Sequence, residues 1–205
     1  MFRDDMRRFI LCFVLISTTL LQQGCSSTEI VSAESDIHLP AVRKVLLEMV
    51  ERDQEVRFKF IYSKNREHDD EIEQLDNSNT EKLKKIIHQY KRLKSSDIGT
   101  DGLKAFSLLT LHLTDFHFQE QMLLLIKQRY LAGELEGQDY ALLYDKVLVH
   151  KGKPQYYGTQ FIFEKGKYVP DEIEDEENVD LHRKAVGLPS LAEYSQFLND
   201  FYLGS

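Results

Sequence analysis

A chain of 205 residues that is 42% hydrophobic and 11% aromatic carries enough apolar material for a packed core, which excludes global disorder. Two cysteines exclude a disulfide scaffold. A formal net charge of −8 argues against a nucleic-acid binder, which needs basic surface to displace counterions.

The chain opens with three arginines against two aspartates in its first eight residues, followed by an apolar run from Phe9 to Leu21. Thirteen helical residues reach roughly 20 Å, short of the ~30 Å hydrocarbon core, so the run reads as the core of a signal peptide rather than a spanning helix. Gly24-Cys25 follows, then Ser26-Ser27. A small residue before a cysteine at this place resembles the bacterial lipobox, although Gln22 stands where that motif prefers an aliphatic residue. The resemblance implies cleavage after residue 24 and a diacylglycerol on Cys25. An ordinary secretory signal and an uncleaved anchor are the alternatives. Cleavage would remove three arginines and two aspartates and leave a mature chain one charge more acidic. The expected organisation is a signal peptide at 1–24, a flexible lipid-anchored tether at 25–35 and a single globular domain at 36–205.

The domain is expected to be mainly α, with about six helices and a small antiparallel hairpin or three-stranded sheet around 147–169, a single α+β domain. Val42, Leu46, Met49, Val50 and Val56 recur at helical spacing after Leu39, and Asp53 and Arg57 can pair at i,i+4. Ser63 to Asn79 reads as a polar, charge-dense stretch, with Asn79 or Thr80 capping a helix striped by Leu83, Ile86, Ile87 and Tyr90. Ser95 to Gly102 reads as a loop, and Leu103 to Leu131 as a nearly continuous helix with a break near Thr114-Asp115. A short helix is expected over Tyr140–Leu148, then strand-like runs with Gly166 in a tight turn. Asp171 to Glu177 is an acidic loop leading into a helix at Val179–Val186, closed by Gly187-Leu188-Pro189. Ser190 and Glu193 form a capping box for a last helix that turns Leu191, Tyr194, Phe197 and Leu198 inward.

No phosphate loop, H-E-x-x-H, G-x-S-x-G or C-x-x-C occurs, so no cofactor or metal is expected from motif. Asp76–Thr80 imitates the opening of a calcium loop, but Glu81 and Ile87 occupy its glycine and final glutamate places. The best constellation is His112, Asp115 and Gln119, which share a face if the segment is one helix. A carboxylate one turn from an imidazole suits acid–base work, half a metal site or a satisfied core histidine. His112, Asp115 and Asp145 are the candidate catalytic residues. Gln155, Tyr157 and Thr159 would share one strand face with Gln160 on the other, and Gly158 marks a bulge or a close approach. Gln155, Tyr157, Thr159, Gln160, Arg183 and Arg57 are the candidate ligand-binding residues, and Cys25 is the lipidation site.

Several segments together, Asp53-Gln54-x-x-Arg57, Asp76-x-x-Asn79, His112, Asp145-Lys146, Gln155-Tyr156-Tyr157-Gly158-Thr159-Gln160 and Arg183 with Gly187-Leu188, resemble an uncharacterised bacterial domain family. Leu111 and Lys146 stand where that pattern favours Gln and Arg. The resemblance implies positions and no reaction. The expected function is a binding or interaction domain of the bacterial cell envelope, held at the membrane by its N-terminal lipid and facing the periplasm or exterior. Its partner would be a small molecule or protein. The alternative is an envelope hydrolase or transferase centred on His112. The polar residues would form either one buried network or the lining of a pocket.

Overall fold

The apolar stripe that follows Leu39 forms a 24-residue helix in the computed structural model, which describes residues 37–63 and 67–204. Cys12, Cys25, the signal and the tether lie outside the described residues. Among the described residues there are seven helices and one two-stranded sheet, and they divide into two compact units, one ending at Leu135 and the other starting at Glu136. None of these helices is long and apolar enough to cross a membrane.

The first unit is helical. Helix α1 (Pro40–Ser63) buries Val42, Leu46, Met49 and Val56, and Asp53 occupies a fully buried place in that same stripe. Helix α2 (Glu67–Tyr90) packs on α1 and includes most of the polar, charge-dense stretch. Its inner face carries Ile72, Asn79, Thr80 and Leu83, so Asn79 and Thr80 are mid-helix residues and not caps. Seven acidic residues fall between Glu67 and Glu81, while Lys82 to Lys94 carries six basic ones and no acid. Helix α3 (Ser95–Leu111) starts where a loop was expected. The Asp97 carboxylate accepts from the Lys94 N–H at 3.0 Å and fastens its start. Gly99, at φ 73°, lets the chain kink inside it. Helix α4 (Phe116–Leu131) follows after the expected break.

The second unit begins with helix α5 (Gly137–His150). Residues 151–160 form a loop, not a strand, with one isolated bridge from Gln155 to Ile173. The hairpin is shorter than the span allowed for it. Strand β1 (Phe161–Glu164) pairs antiparallel with β2 (Lys167–Pro170), in the register Phe161 to Pro170 and Glu164 to Lys167. Lys165 and Gly166 both take positive φ, 51° and 85°, as a two-residue hairpin turn of this hand requires. Helix α6 (Val179–Ala185) packs on α7 (Leu191–Leu203), whose start carries the expected capping box between Ser190 and Glu193. Phe161, Tyr194 and Leu198 form the buried centre where α7 meets the hairpin. Asn199 adds an amide to the outer edge of β2: Tyr168 N–H donates to its Oδ1 at 2.8 Å, and its Nδ2 donates to Tyr168 O at 2.9 Å.

Candidate functional site

His112 and Asp115 do not share a helix, because α3 ends at Leu111 and α4 begins at Phe116. Asp115 caps α4, accepting from the Phe118 N–H at 2.9 Å, and pairs with Lys84 at 2.9 Å. Gln119 donates instead to the Thr110 and Leu111 carbonyls at 2.8 and 3.3 Å, tying α4 back to the end of α3.

The carboxylate that meets His112 is Asp53 on α1, fifty-nine residues away in sequence, at 3.2 Å from Nδ1. Arg57, one turn further along α1, donates through Nε to both Asp53 oxygens at 3.2 and 3.3 Å. Its Nη2 donates to Asp76 Oδ1 on α2. The Asp76 side chain is 15% exposed and that of His112 is 4% exposed, so the cluster is almost sealed. Next to Asp76 on the inner face of α2 lies Asn79, 3% exposed, and neither atom of its amide has a hydrogen-bond partner. Thr80 holds this part of α2 against the segment after His112, accepting from the Thr114 N–H at 3.0 Å.

The electrostatics follow from this packing. Burial alone would raise the Asp53 carboxyl, but His112 and then Arg57 outweigh it and hold it far below the ordinary range. Burial likewise opposes the charge of Arg57, and Asp53 and Asp76 more than compensate, so its pKa is raised. Burial and the neighbouring guanidinium push His112 down, with Asp53 resisting. The Nδ1 edge of the His112 ring is the one that faces Asp53.

Five of the other candidates come together in the second unit, around a buried Asp145. Its Oδ1 accepts from the Tyr156 and Tyr157 N–H groups at 2.9 and 3.0 Å. Its Oδ2 accepts from the Thr159 N–H and hydroxyl at 2.9 and 3.0 Å. Burial pushes the Asp145 carboxyl up, and these donors pull against it. Gln155 crosses the same loop: its Nε2 donates to Gln160 O at 2.9 Å and its Oε1 accepts from Gln160 N at 2.6 Å. Gln160 Nε2 donates to the Thr159 hydroxyl at 3.0 Å and to Leu142 O at 3.3 Å. Arg183 is fully buried and donates to three backbone oxygens, those of Pro189 at 2.7 Å, Tyr157 at 2.7 Å and Gly158 at 3.1 Å. Its Nη2 has no hydrogen bond, and its guanidinium carbon lies 5.1 Å from the Tyr194 ring centroid. Gly158, at φ 63°, supplies the backbone turn that aims its carbonyl at Arg183. Tyr157 is buried with edge contacts to Tyr140 and Tyr144.

The two clusters differ in kind. Asp145, Gln155, Gln160 and Arg183 spend most of their hydrogen bonds on backbone and fix a loop. The cluster of Asp53, Arg57, Asp76 and His112 is built from side chains facing side chains, and Asn79 stands three residues after Asp76 on α2. The sequence placed Asp53 among the polar residues of a buried network or pocket and Asp76 in the family resemblance, but neither was a candidate catalytic or ligand-binding residue. The available signal was Asp53 itself, a charge in register with the buried stripe Leu46, Met49 and Val56.

Residues 40–204 match DUF6624, described as a family of unknown function, and the chain belongs to that family. No curated protein and no solved structure matches the chain.

Proposed function

We propose that this protein is a lipid-tethered domain of the bacterial cell envelope that binds a small ligand at the cluster of Asp53, Arg57, Asp76, Asn79 and His112. The observation that carries the binding reading is Asn79, a buried amide with both polar atoms unpartnered, three residues after Asp76 on α2. Buried polar groups are ordinarily satisfied, and one that is not calls for an explanation such as a bound ion or ligand. The near-complete burial of Asp53, Arg57 and His112 limits the ligand to something small. The tether rests on the apolar run and Gly24-Cys25.

Two experiments test the reading. A thermal-shift screen of small molecules and ions against the mature protein should give a ligand that raises the melting temperature of the wild type and not of His112→Gln. Hits that stabilise both proteins equally would refute the site. Cys25→Ser should release the protein from membranes or leave an unprocessed precursor, and unchanged fractionation and processing would refute the tether.

A second reading, an acid–base hydrolase or transferase, is favoured by the contact between His112 and Asp53, which would orient the imidazole and hold it as a base. His112→Ala would then abolish turnover while leaving the protein folded.

A further inference from the structure

We infer that the ligand of this cluster is a divalent first-row metal cation, held by Asp53, Asp76, His112 and the Asn79 amide oxygen. The inference rests on the binding reading above and narrows it.

Charge is the first argument. The partners of the Asp53 and Asp76 carboxylates among the described residues are Gln54, Arg57 and His112. Arg57 is shared between the two carboxylates, and His112 meets Asp53. Two carboxylates this close in a nearly sealed site favour a cation between them, and a bound metal ion would add to Arg57 in that role.

Geometry is the second. A carboxylate oxygen of Asp53, one of Asp76 and a ring nitrogen of His112 all lie within 4.8 Å of one another. Metal–ligand bonds of about 2.0–2.4 Å place any two ligand atoms no more than about 4.8 Å apart, so one ion can touch all three after small side-chain shifts.

Asn79 is the third argument and is independent of the other two. It stands three residues after Asp76, on the same inner face of α2, with an amide oxygen that accepts nothing. As a fourth ligand it would be satisfied. Arg57 takes Oδ1 of Asp76 and leaves Oδ2, whereas its Nε spans both Asp53 oxygens, so Asp53 would ligate through a remaining lone pair. Ligating carboxylates are commonly held by such outer hydrogen bonds. Two carboxylates, an amide oxygen and an imidazole form a mixed oxygen and nitrogen set. It suits manganese, iron, cobalt or zinc, whereas calcium prefers oxygen alone.

The test uses the mature full-length protein, stripped with chelator and titrated with Mn2+ and with Zn2+. Binding is followed by loss of the free Mn2+ paramagnetic signal and by thermal denaturation. The expected result is one ion per chain and a saturable rise in melting temperature. Asp76→Asn and Asn79→Leu should each weaken binding at least about tenfold while still unfolding cooperatively. Asn79→Leu introduces no buried charge, so it remains informative if Asp76→Asn fails to fold. Absence of binding by both ions up to about 1 mM would overturn the inference, as would undiminished binding in a folded variant. A small-molecule hit dependent on His112 without metal binding would remove the cation and leave the ligand site standing. Loss of both would remove the site.

Discussion

Asp145→Asn separates a carboxylate that builds a loop from one that does chemistry, and its cost can be worked from the contacts. The ionised side chain accepts three N–H groups and one hydroxyl, divided between its two oxygens. An asparagine has one acceptor oxygen. Its better orientation keeps that oxygen toward Tyr156 and Tyr157 and turns the NH2 group toward Thr159, whose hydroxyl can rotate to accept. The Thr159 N–H is then left buried without a partner, at about 1–3 kcal/mol, and the remaining bonds lose the strength that charge gave them. The removed charge works the other way, since burial raises the Asp145 carboxyl and so opposes its ionised form. A net loss of about 2–4 kcal/mol is expected, or roughly 5–15 °C in melting temperature. Urea unfolding gives the free energy. Hydrogen exchange gives the place, because the amides of Tyr156, Tyr157 and Thr159 should exchange faster than those of α7. A change below about 0.5 kcal/mol with unchanged exchange would refute the structural role and return Asp145 to the candidates for chemistry.

Three further outcomes follow from other parts of the fold. A Cβ added at Gly137 would lie 2.4 Å from the Val186 carbonyl oxygen and 2.8 Å from its Cα, so Gly137→Ala should destabilise by more than about 2 kcal/mol in urea unfolding. Gly133→Ala, with open space around it, should cost only the roughly 1–2 kcal/mol of its left-handed backbone. Burial, and then Lys146, lower His150 from 6.5 to about 4. The unfolded chain takes up this proton below about pH 6.5 and the folded chain refuses it until about pH 4, so stability should fall with pH across that window. The ring is only partly buried, which reduces the loss to the order of 1 kcal/mol. Urea midpoints from pH 7 to pH 4 should show a shallower slope in His150→Gln, and an identical slope would refute the assignment.

Where the sequence is legible, one segment suffices to define the element. The buried stripe of α1, the turn at Gly166 and the Ser190–Glu193 capping box are all local signals, and each appears in the structure. The failures are places where tertiary packing decides. Glu67 to Asn79 has few apolar residues because its inner face carries Asp76 and Asn79 as well as Ile72, so its helical period is written partly in polar side chains. Ser95 to Gly102 contains two glycines that read as loop. A Cβ at Gly102 would meet Arg43 at 3.2 Å, so that glycine serves close approach of α1. The same limit applies to the site. Helical spacing offered Asp115 to His112, whereas the true neighbour is on another helix, and only the fold brings Asp53 across. The Gln155–Gln160 alternation failed for a related reason. Asp145 gathers those backbone amides to itself, and a strand ladder cannot use them as well.

Asn79 decides whether the helical cluster is kept for stability or for a ligand. An asparagine buried with no partner leaves two polar atoms desolvated, and each such atom costs about 1–3 kcal/mol. Leucine is close to it in shape, fits the adjacent Ile72 and Leu83 on the same face of α2, and has the higher helix propensity. Asn79→Leu should therefore raise stability by about 1–3 kcal/mol in urea unfolding while removing ligand binding. The opposite holds for Thr80, whose hydroxyl holds Thr114. Thr80→Val should lose about 1–2 kcal/mol by leaving the Thr114 N–H unpaired. Gain at one position and loss at its neighbour is the pattern of a site that sacrifices stability to keep a polar atom ready. If Asn79→Leu destabilises instead, the amide has a structural partner, such as an ordered water, and the argument from its orphaned atoms fails.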